Sequence, residues 1–161
     1  MTADKSGNQT QSQVFEPDPM LKRLAVLAGE WTMTGRTLGS QKDDMTGELA
    51  GEWILGGLFL QLTGWIRFND FEVQSIEIIG YDAASEKFPS TVFSNPGGTP
   101  LPYKWDVEGK TVMHSGGGAT YRGTVSDDGN KITGGWRPDE NEKVTEGNAY
   151  DMTMYRVDSD H

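Results

Sequence analysis

Residues 47–81 read GELAGEWILGGLFLQLTGWIRFNDFEVQSIEIIGY, three apolar-rich runs separated by Gly56-Gly57 and Asn69-Asp70. Two-residue connections of this kind join antiparallel strands and fix their register. Through Gly56-Gly57, Leu55 faces Leu58, Trp53 faces Leu60 and Gly51 faces Leu62. Through Asn69-Asp70, Phe68 faces Phe71, Ile66 faces Val73, Leu60 faces Ile79 and Leu58 faces Tyr81. One face is therefore apolar across three strands, while the other pairs Arg67 with Glu72 and Trp65 with Gln74, as an outer surface should. That outer face also carries Phe59, Trp65, Ile76 and Ile78, an apolar patch that predicts a cover, either the leading helix or a second copy of the chain in a homodimer.

The same pattern continues on both sides of this stretch. Glu108-Gly109 and Asp128-Gly129 read as two more hairpin turns, and ten strands are predicted, at 30–38, 47–55, 58–68, 71–81, 87–94, 100–107, 110–115, 118–127, 130–137 and 148–157. Glu108-Gly109 sets Trp105 against Val112 and Tyr103 against His114, and Asp128-Gly129 sets Val125 against Ile132 and Tyr121 against Trp136. Trp31 and Met33 share a face in the first strand, as do Tyr150, Met152, Met154 and Arg156 in the last. Ahead of them, Asp18 caps, Pro19 suits a first helical position, Met20, Leu24 and Leu27 recur at helical spacing, and Gly29 stops the helix. One short helix followed by a ten-strand meander predicts an all-β fold, an up-and-down antiparallel barrel, because closure removes the exposed edges of a meander.

Length and composition fit one such domain. The 161 residues make a single core the natural unit, with 1–16 as a polar, disordered arm, 17–157 as the barrel and 158–161 as a tail. Leu, Ile, Val and Phe supply only 31 residues, so the five Trp, five Tyr and seven Met must carry much of the burial. The balance of 24 acids against 14 bases removes the electrostatic footprint of a nucleic-acid binder. Cysteine is absent, which excludes disulfides, thiolate metal sites and thiol nucleophiles. No apolar run approaches a membrane span and no signal core leads the chain, so no membrane partner and a cytoplasmic protein are expected.

Gly29-Glu30-Trp31 at the head of the first strand, with Arg156 near the end of the last, resembles the signature of the calycins, the lipocalins and fatty-acid-binding proteins among them. In that superfamily the early Trp closes one barrel end and a late basic residue lies across it, which implies structural roles for Trp31 and Arg156. More closely, 20–157 is similar to the bacterial family called domain of unknown function 1579, through Leu27-Ala28-Gly29-Glu30-Trp31, Leu55-Gly56-Gly57 with Phe59, Gly80-Tyr81-Asp82 and Tyr155-Arg156. That resemblance implies a lipocalin-like barrel and carries no activity with it. A heme-binding calycin relative uses a His near its C-terminus, whereas His161 here ends an acidic tail.

The candidate chemistry is a pocket. Ten strands, with Gly51, Gly64, Gly123 and Gly134 among the inward positions, should leave a cavity. Its expected lining is Trp53, Leu60, Leu62, Tyr81, Tyr103, Trp105, Tyr121 and Trp136, suited to a small apolar or aromatic ligand; the same rings would equally fill a solid core. Two inward ionisable residues stand out, Glu77 opposite Leu62 and His114 opposite Tyr103. A lone carboxylate there is costly unless paired or protonated, so the two are candidates for a polar anchor or for acid–base catalysis. Gly116-Gly117-Gly118 lacks the Lys-Ser/Thr ending of a phosphate loop, and Asp43-Asp44 and Asp127-Asp128 lack the spacing of a calcium loop. No cofactor and no metal are expected. The long connection from Asn95 to Pro100 is a candidate gate.

Overall fold

A computed structural model describes residues 15–145 and 147–158. Most of the expected arm and the end of the tail, including Asn8, Gln9, Thr10 and His161, lie outside these residues. A 3₁₀ helix, Pro19–Leu27, leads into ten antiparallel strands: β1 Gly29–Thr37, β2 Met45–Ile54, β3 Phe59–Phe68, β4 Phe71–Ile79, β5 Phe88–Ser94, β6 Leu101–Glu108, β7 Thr111–Gly116, β8 Ala119–Val125, β9 Lys131–Pro138 and β10 Tyr150–Arg156. Each strand pairs with its neighbours in sequence, and β10 pairs back onto β1, from Tyr150 opposite Thr37 to Arg156 opposite Trp31. The sheet is a closed up-and-down barrel.

The leading helix differs in kind from the expectation. Leu21, Leu24 and Leu27 are its buried residues, and Met20 is only half-buried. Their spacing of three is the reason: in a 3₁₀ helix all three stack on one stripe, whereas in an α-helix they would fan over about 120°. Asp18 caps it, its carboxylate accepting from the Met20 N–H at 2.9 Å, and Gly29 turns the chain into β1 at φ +97°. The stripe closes one pole of the barrel, packing with Trp31, Leu60, Ile79, Phe88, Val112 and Ile132, all nearly or fully sealed from solvent.

The last strand fastens this plug. Arg156 donates to the Ala28 carbonyl at 2.6 Å, to Val26 at 3.1 Å and to Gly129 at 3.2 and 3.3 Å, and its guanidinium lies 4.2 Å from the Trp31 ring centroid. The Trp31 indole N–H in turn donates to the Leu27 carbonyl at 3.2 Å. Four carbonyls that the end of the helix and a hairpin leave unpaired, those of Val26, Leu27, Ala28 and Gly129, are thereby satisfied.

Hairpin parity is right at every turn, and pairing is corrected at two. Leu55, Gly56 and Gly57 all take positive φ and form a 3₁₀ turn, so Leu55 and Leu58 leave the ladder while Trp53 still faces Leu60 and Gly51 still faces Leu62. Gly109 takes the first central position of its turn, at φ +59°, which moves the turn centre one residue onward. Val107 therefore faces Val112, Trp105 faces His114 and Tyr103 faces Gly116, a slip of two that preserves the inward face.

Outside the barrel, Phe59, Ile76 and Phe93 are exposed and Trp65 and Ile78 half-buried, so the helix does not cover this patch. A concavity of about 930 Å³ crosses the same outer wall between two rows of side chains, Glu30-Ala50-Thr63-Ile76 and Thr32-Glu48-Trp65-Gln74. It is a furrow in the surface, distinct from the barrel interior.

Candidate functional site

The inward residues divide by depth. Leu60 and Leu62 belong to the packed core beside the plug, and Tyr81, beyond the end of β4, lies against Phe88 with ring centroids 5.2 Å apart. Trp53 is in the inward phase but 37 % exposed at the plugged end, so it lines no interior space. The other expected residues converge. Glu77 on β4, Tyr103 and Trp105 on β6, His114 on β7, Tyr121 on β8 and Trp136 on β9 meet in the middle of the barrel.

Glu77 is the centre of this group. Its Oε2 accepts three hydrogen bonds, from Ser90 Oγ at 2.6 Å, from Trp105 Nε1 at 2.8 Å and from His114 Nε2 at 2.9 Å. Glu77 is 7 % exposed, and burial pushes its carboxyl upward, but the His114 charge and hydrogen bond, with those of Ser90 and Trp105, outweigh it and hold the group below the ordinary glutamate range. Glu77 is therefore a buried carboxylate. Ser90 had no sequence signal, because β4 and β5 are joined by a longer connection through Asp82 and Lys87 rather than by a two-residue turn.

Rings hold the imidazole. His114 stacks on Trp105 at 3.8 Å between centroids and 11° between planes, with the Tyr103 and Trp136 rings each 5.2 Å away. Tyr103 lies flat on the chain at Gly116, where a Cβ would collide with its ring carbons. The triple glycine thus makes room for a ring. Asp128 is likewise spent within its own turn, accepting from Ser126 Oγ and the Asn130 N–H.

An ionised Glu77 that only accepts requires a proton on His114 Nε2, which leaves Nδ1 as the free ring nitrogen. No group among the described residues bonds Nδ1, Glu77 Oε1, or the hydroxyls of Tyr103 and Tyr150, yet the only sealed and unpartnered side-chain polar atom among those residues is Thr37 Oγ1. These four atoms therefore open on space that water can enter. Toward the pole opposite the plug, Val73, Ser75, Val92 and Tyr103 are in the inward phase yet keep accessible surface, and inward-phase Phe71 and Leu101 are exposed. On the other side of the rim, Met45, Phe68 and Tyr150 pack into a second small core, the last two edge to face at 4.9 Å.

Burial raises the hydroxyl pKa values of Tyr103, Tyr121 and Tyr150; the Glu77 charge adds to the first, and Tyr103 and Tyr121 add to the third. All three are neutral phenols at ordinary pH. The arrangement is a cluster of flat aromatic rings around a hydrogen-bonded carboxylate–imidazole pair. No group of three or more metal-ligating side chains is present among the described residues, and no helix there is long and apolar enough to cross a membrane.

Comparison with solved structures places Rv2717c from M. tuberculosis near this chain, with a TM-score of 0.57 at 13% identity over 89% of this chain and 100% of that one. At that identity the likeness concerns the fold alone. No curated protein matches the chain. A family model described as "Protein of unknown function (DUF1579)" matches residues 16–161. With nearly its whole described length inside that match, the chain belongs to the DUF1579 family.

Proposed function

We propose that the barrel binds a small, mainly apolar or aromatic molecule in its interior, entering from the rim of β4–β7 and held by Glu77 and His114. The observation that carries this reading is the pair's unspent atoms, Oε1 and Nδ1, which no group among the described residues bonds and which are not sealed from solvent. A buried carboxylate bonded to an imidazole is a poor stabiliser compared with apolar residues of the same volume, so its presence among aromatic rings calls for a use. Trp105, Trp136, Tyr103 and Tyr121 supply flat walls, and neutral hydroxyls supply orientation.

N-phenyl-1-naphthylamine, an uncharged fluorescent apolar probe, tests this. One probe per barrel should bind, and Val92→Trp, which fills the chamber beside Glu77, should abolish binding while Ile76→Glu on the outer wall leaves it intact. Binding that survives Val92→Trp and disappears with Ile76→Glu would move the site to the exterior. Native mass spectrometry of freshly purified protein then looks for a co-purifying molecule of small mass.

The outer wall supports a second reading, self-association. Phe59, Ile76 and Phe93 expose apolar surface on neighbouring strands, the usual mark of an interface. Sedimentation should then give a dimer that Ile76→Glu dissociates, and a monomer at high concentration rejects it.

A further inference from the structure

We infer that the furrow on the outer wall is a groove for an extended segment of another polypeptide, one that carries a basic residue and, two and four positions away, bulky apolar ones. The site is separate from the barrel interior and holds whether or not a molecule binds there. Its floor is backbone: Trp31, Leu49, Gly64, Ser75 and Ser94 are successive partners across β1–β5 and lie in the inward phase. Outward rows make the walls, Glu30, Ala50, Thr63, Ile76 and Phe93 on one side, and Thr32, Glu48, Trp65 and Gln74 on the other, with Asn95 at its end.

The dimensions select an extended chain. Neighbouring strands lie about 4.8 Å apart and the walls are two residues apart on each strand, so the furrow is about 19 Å long and about 7 Å wide, in keeping with its volume of about 930 Å³. About six residues of extended chain fill that length, whereas a helix, about 10 Å across, is too broad. The hydroxyls of Thr32 and Thr63, on opposite walls and bonded to no group among the described residues, offer partners to the peptide groups of such a chain.

Charge and apolar surface then set the pattern along it. Glu30 and Glu48 are diagonal neighbours on opposite walls at the β1–β2 end. No group among the described residues bonds the Glu30 carboxylate, and Glu48 has only the Trp65 indole N–H, at 3.3 Å. No lysine or arginine lines the furrow, and Arg67 beside it is paired with Glu72 at 2.5 Å. A cation between the two carboxylates removes their mutual repulsion, and the net charge of −10 adds attraction at longer range. At the β4–β5 end Ile76 and Phe93 are exposed cross-strand partners, with Trp65 on β3 between the two ends. From the carboxylates to Trp65 is about 7 Å and to the Ile76–Phe93 pair about 14 Å, two and four residues of extended chain, and residues two apart turn to the same face. The basic residue and both apolar ones therefore face the furrow together. A second copy of this chain meeting the wall with its own would bring the same carboxylates and no base.

Two fluorescein-labelled peptides test this, Gly-Lys-Thr-Leu-Thr-Phe-Gly and its reverse, with binding read by fluorescence anisotropy at low salt. At least one should bind with one peptide per barrel and weaken as salt is added. Replacing both carboxylates, Glu30→Lys with Glu48→Lys, turns attraction into repulsion and should lower the affinity about tenfold. That variant should instead bind the peptide in which Glu replaces Lys. Phe93→Ser should weaken binding several-fold, and near-ultraviolet circular dichroism confirms that the variants are folded. The inference is overturned if neither peptide binds, if binding survives both sets of substitutions unchanged, or if the swapped peptide recovers no affinity. A dimer that Ile76→Glu dissociates would put a second copy on this wall and overturn it as well.

Discussion

Arg156 lies with its guanidinium carbon 4.2 Å from the Trp31 ring centroid, joining the last strand of the barrel to the first. The same guanidinium bonds the carbonyls of Val26, Ala28 and Gly129, a fork that lysine cannot reproduce. Arg156→Lys should therefore cost about 1–3 kcal/mol, read as a lower urea midpoint at unchanged slope. An unchanged midpoint would mean that the plug holds without its latch.

Removing the acceptor at Glu77 is expected to be more costly. Glu77→Ala leaves Ser90 Oγ, Trp105 Nε1 and His114 Nε2 without their shared partner in a buried site. The loss should be about 3–5 kcal/mol, and replacing both Glu77 and His114 by Leu should recover most of it. Urea unfolding of the two proteins side by side checks this, and a Glu77→Ala loss below about 1 kcal/mol counts against a tightly bonded carboxylate.

Acid stability follows from the lowered Glu77 pKa. In the unfolded chain the group titrates near its ordinary 4.5, and in the folded chain below that. Between those values the unfolded state binds more protons, so stability rises with pH; the contribution is complete above about 4.5 and is lost as pH falls through the folded value. Glu77→Gln should flatten the stability–pH curve in this acidic window and leave its slope at neutral pH unchanged. Thermal unfolding at a series of acidic pH values measures it.

Alkali should act through the tyrosines. Tyr121 and Tyr150 have hydroxyl pKa values raised above the ordinary 10.0 by burial first, and then by Asp151 for one and by Tyr103 and Tyr121 for the other. Their stabilising contribution is complete below about 10 and falls away at higher pH, as the unfolded chain releases protons that the folded one keeps. Tyrosinate absorbance and loss of near-ultraviolet circular dichroism should rise together in one cooperative step; phenols that ionise well before the fold is lost would contradict their burial.

Gly116 offers a way to move one wall of the chamber. A Cβ there would collide with ring carbons of Tyr103, so the ring must shift. Gly116→Ala should lower the affinity of N-phenyl-1-naphthylamine several-fold with little change in the urea midpoint, since the core beside the plug is at the other end. Equal affinity would show that Tyr103 does not border the binding space.

Much of this was legible because the side-chain period of a strand is two, so a turn that is right to parity puts every residue on its correct face. Glu77, Tyr103, Trp105, His114, Tyr121 and Trp136 were assigned inward on that ground alone. Parity gives the side but not the depth. Trp53 and Tyr81 share the inward phase and yet belong to the plugged end, one exposed and the other against Phe88. The bond from Ser90 was hidden because no tight turn joins β4 to β5, and the stack of His114 on Trp105 was displaced by two residues when Gly109 took the turn's first central place. The three-residue spacing of Leu21, Leu24 and Leu27 is visible in the sequence, but α-helical spacing picks out Met20, Leu24 and Leu27 instead.

Because the leucine stripe stoppers one pole, the barrel is closed at that end and any way into its interior lies at the other. Phe15 and Pro17 lie on the stoppered side, where Pro17 reaches Gly57. A tether or carrier joined ahead of Phe15 would hold the barrel by its closed end and leave the other facing outward. The loop from Asn95 to Pro100, at that other end, is where a foreign segment would stand in the way.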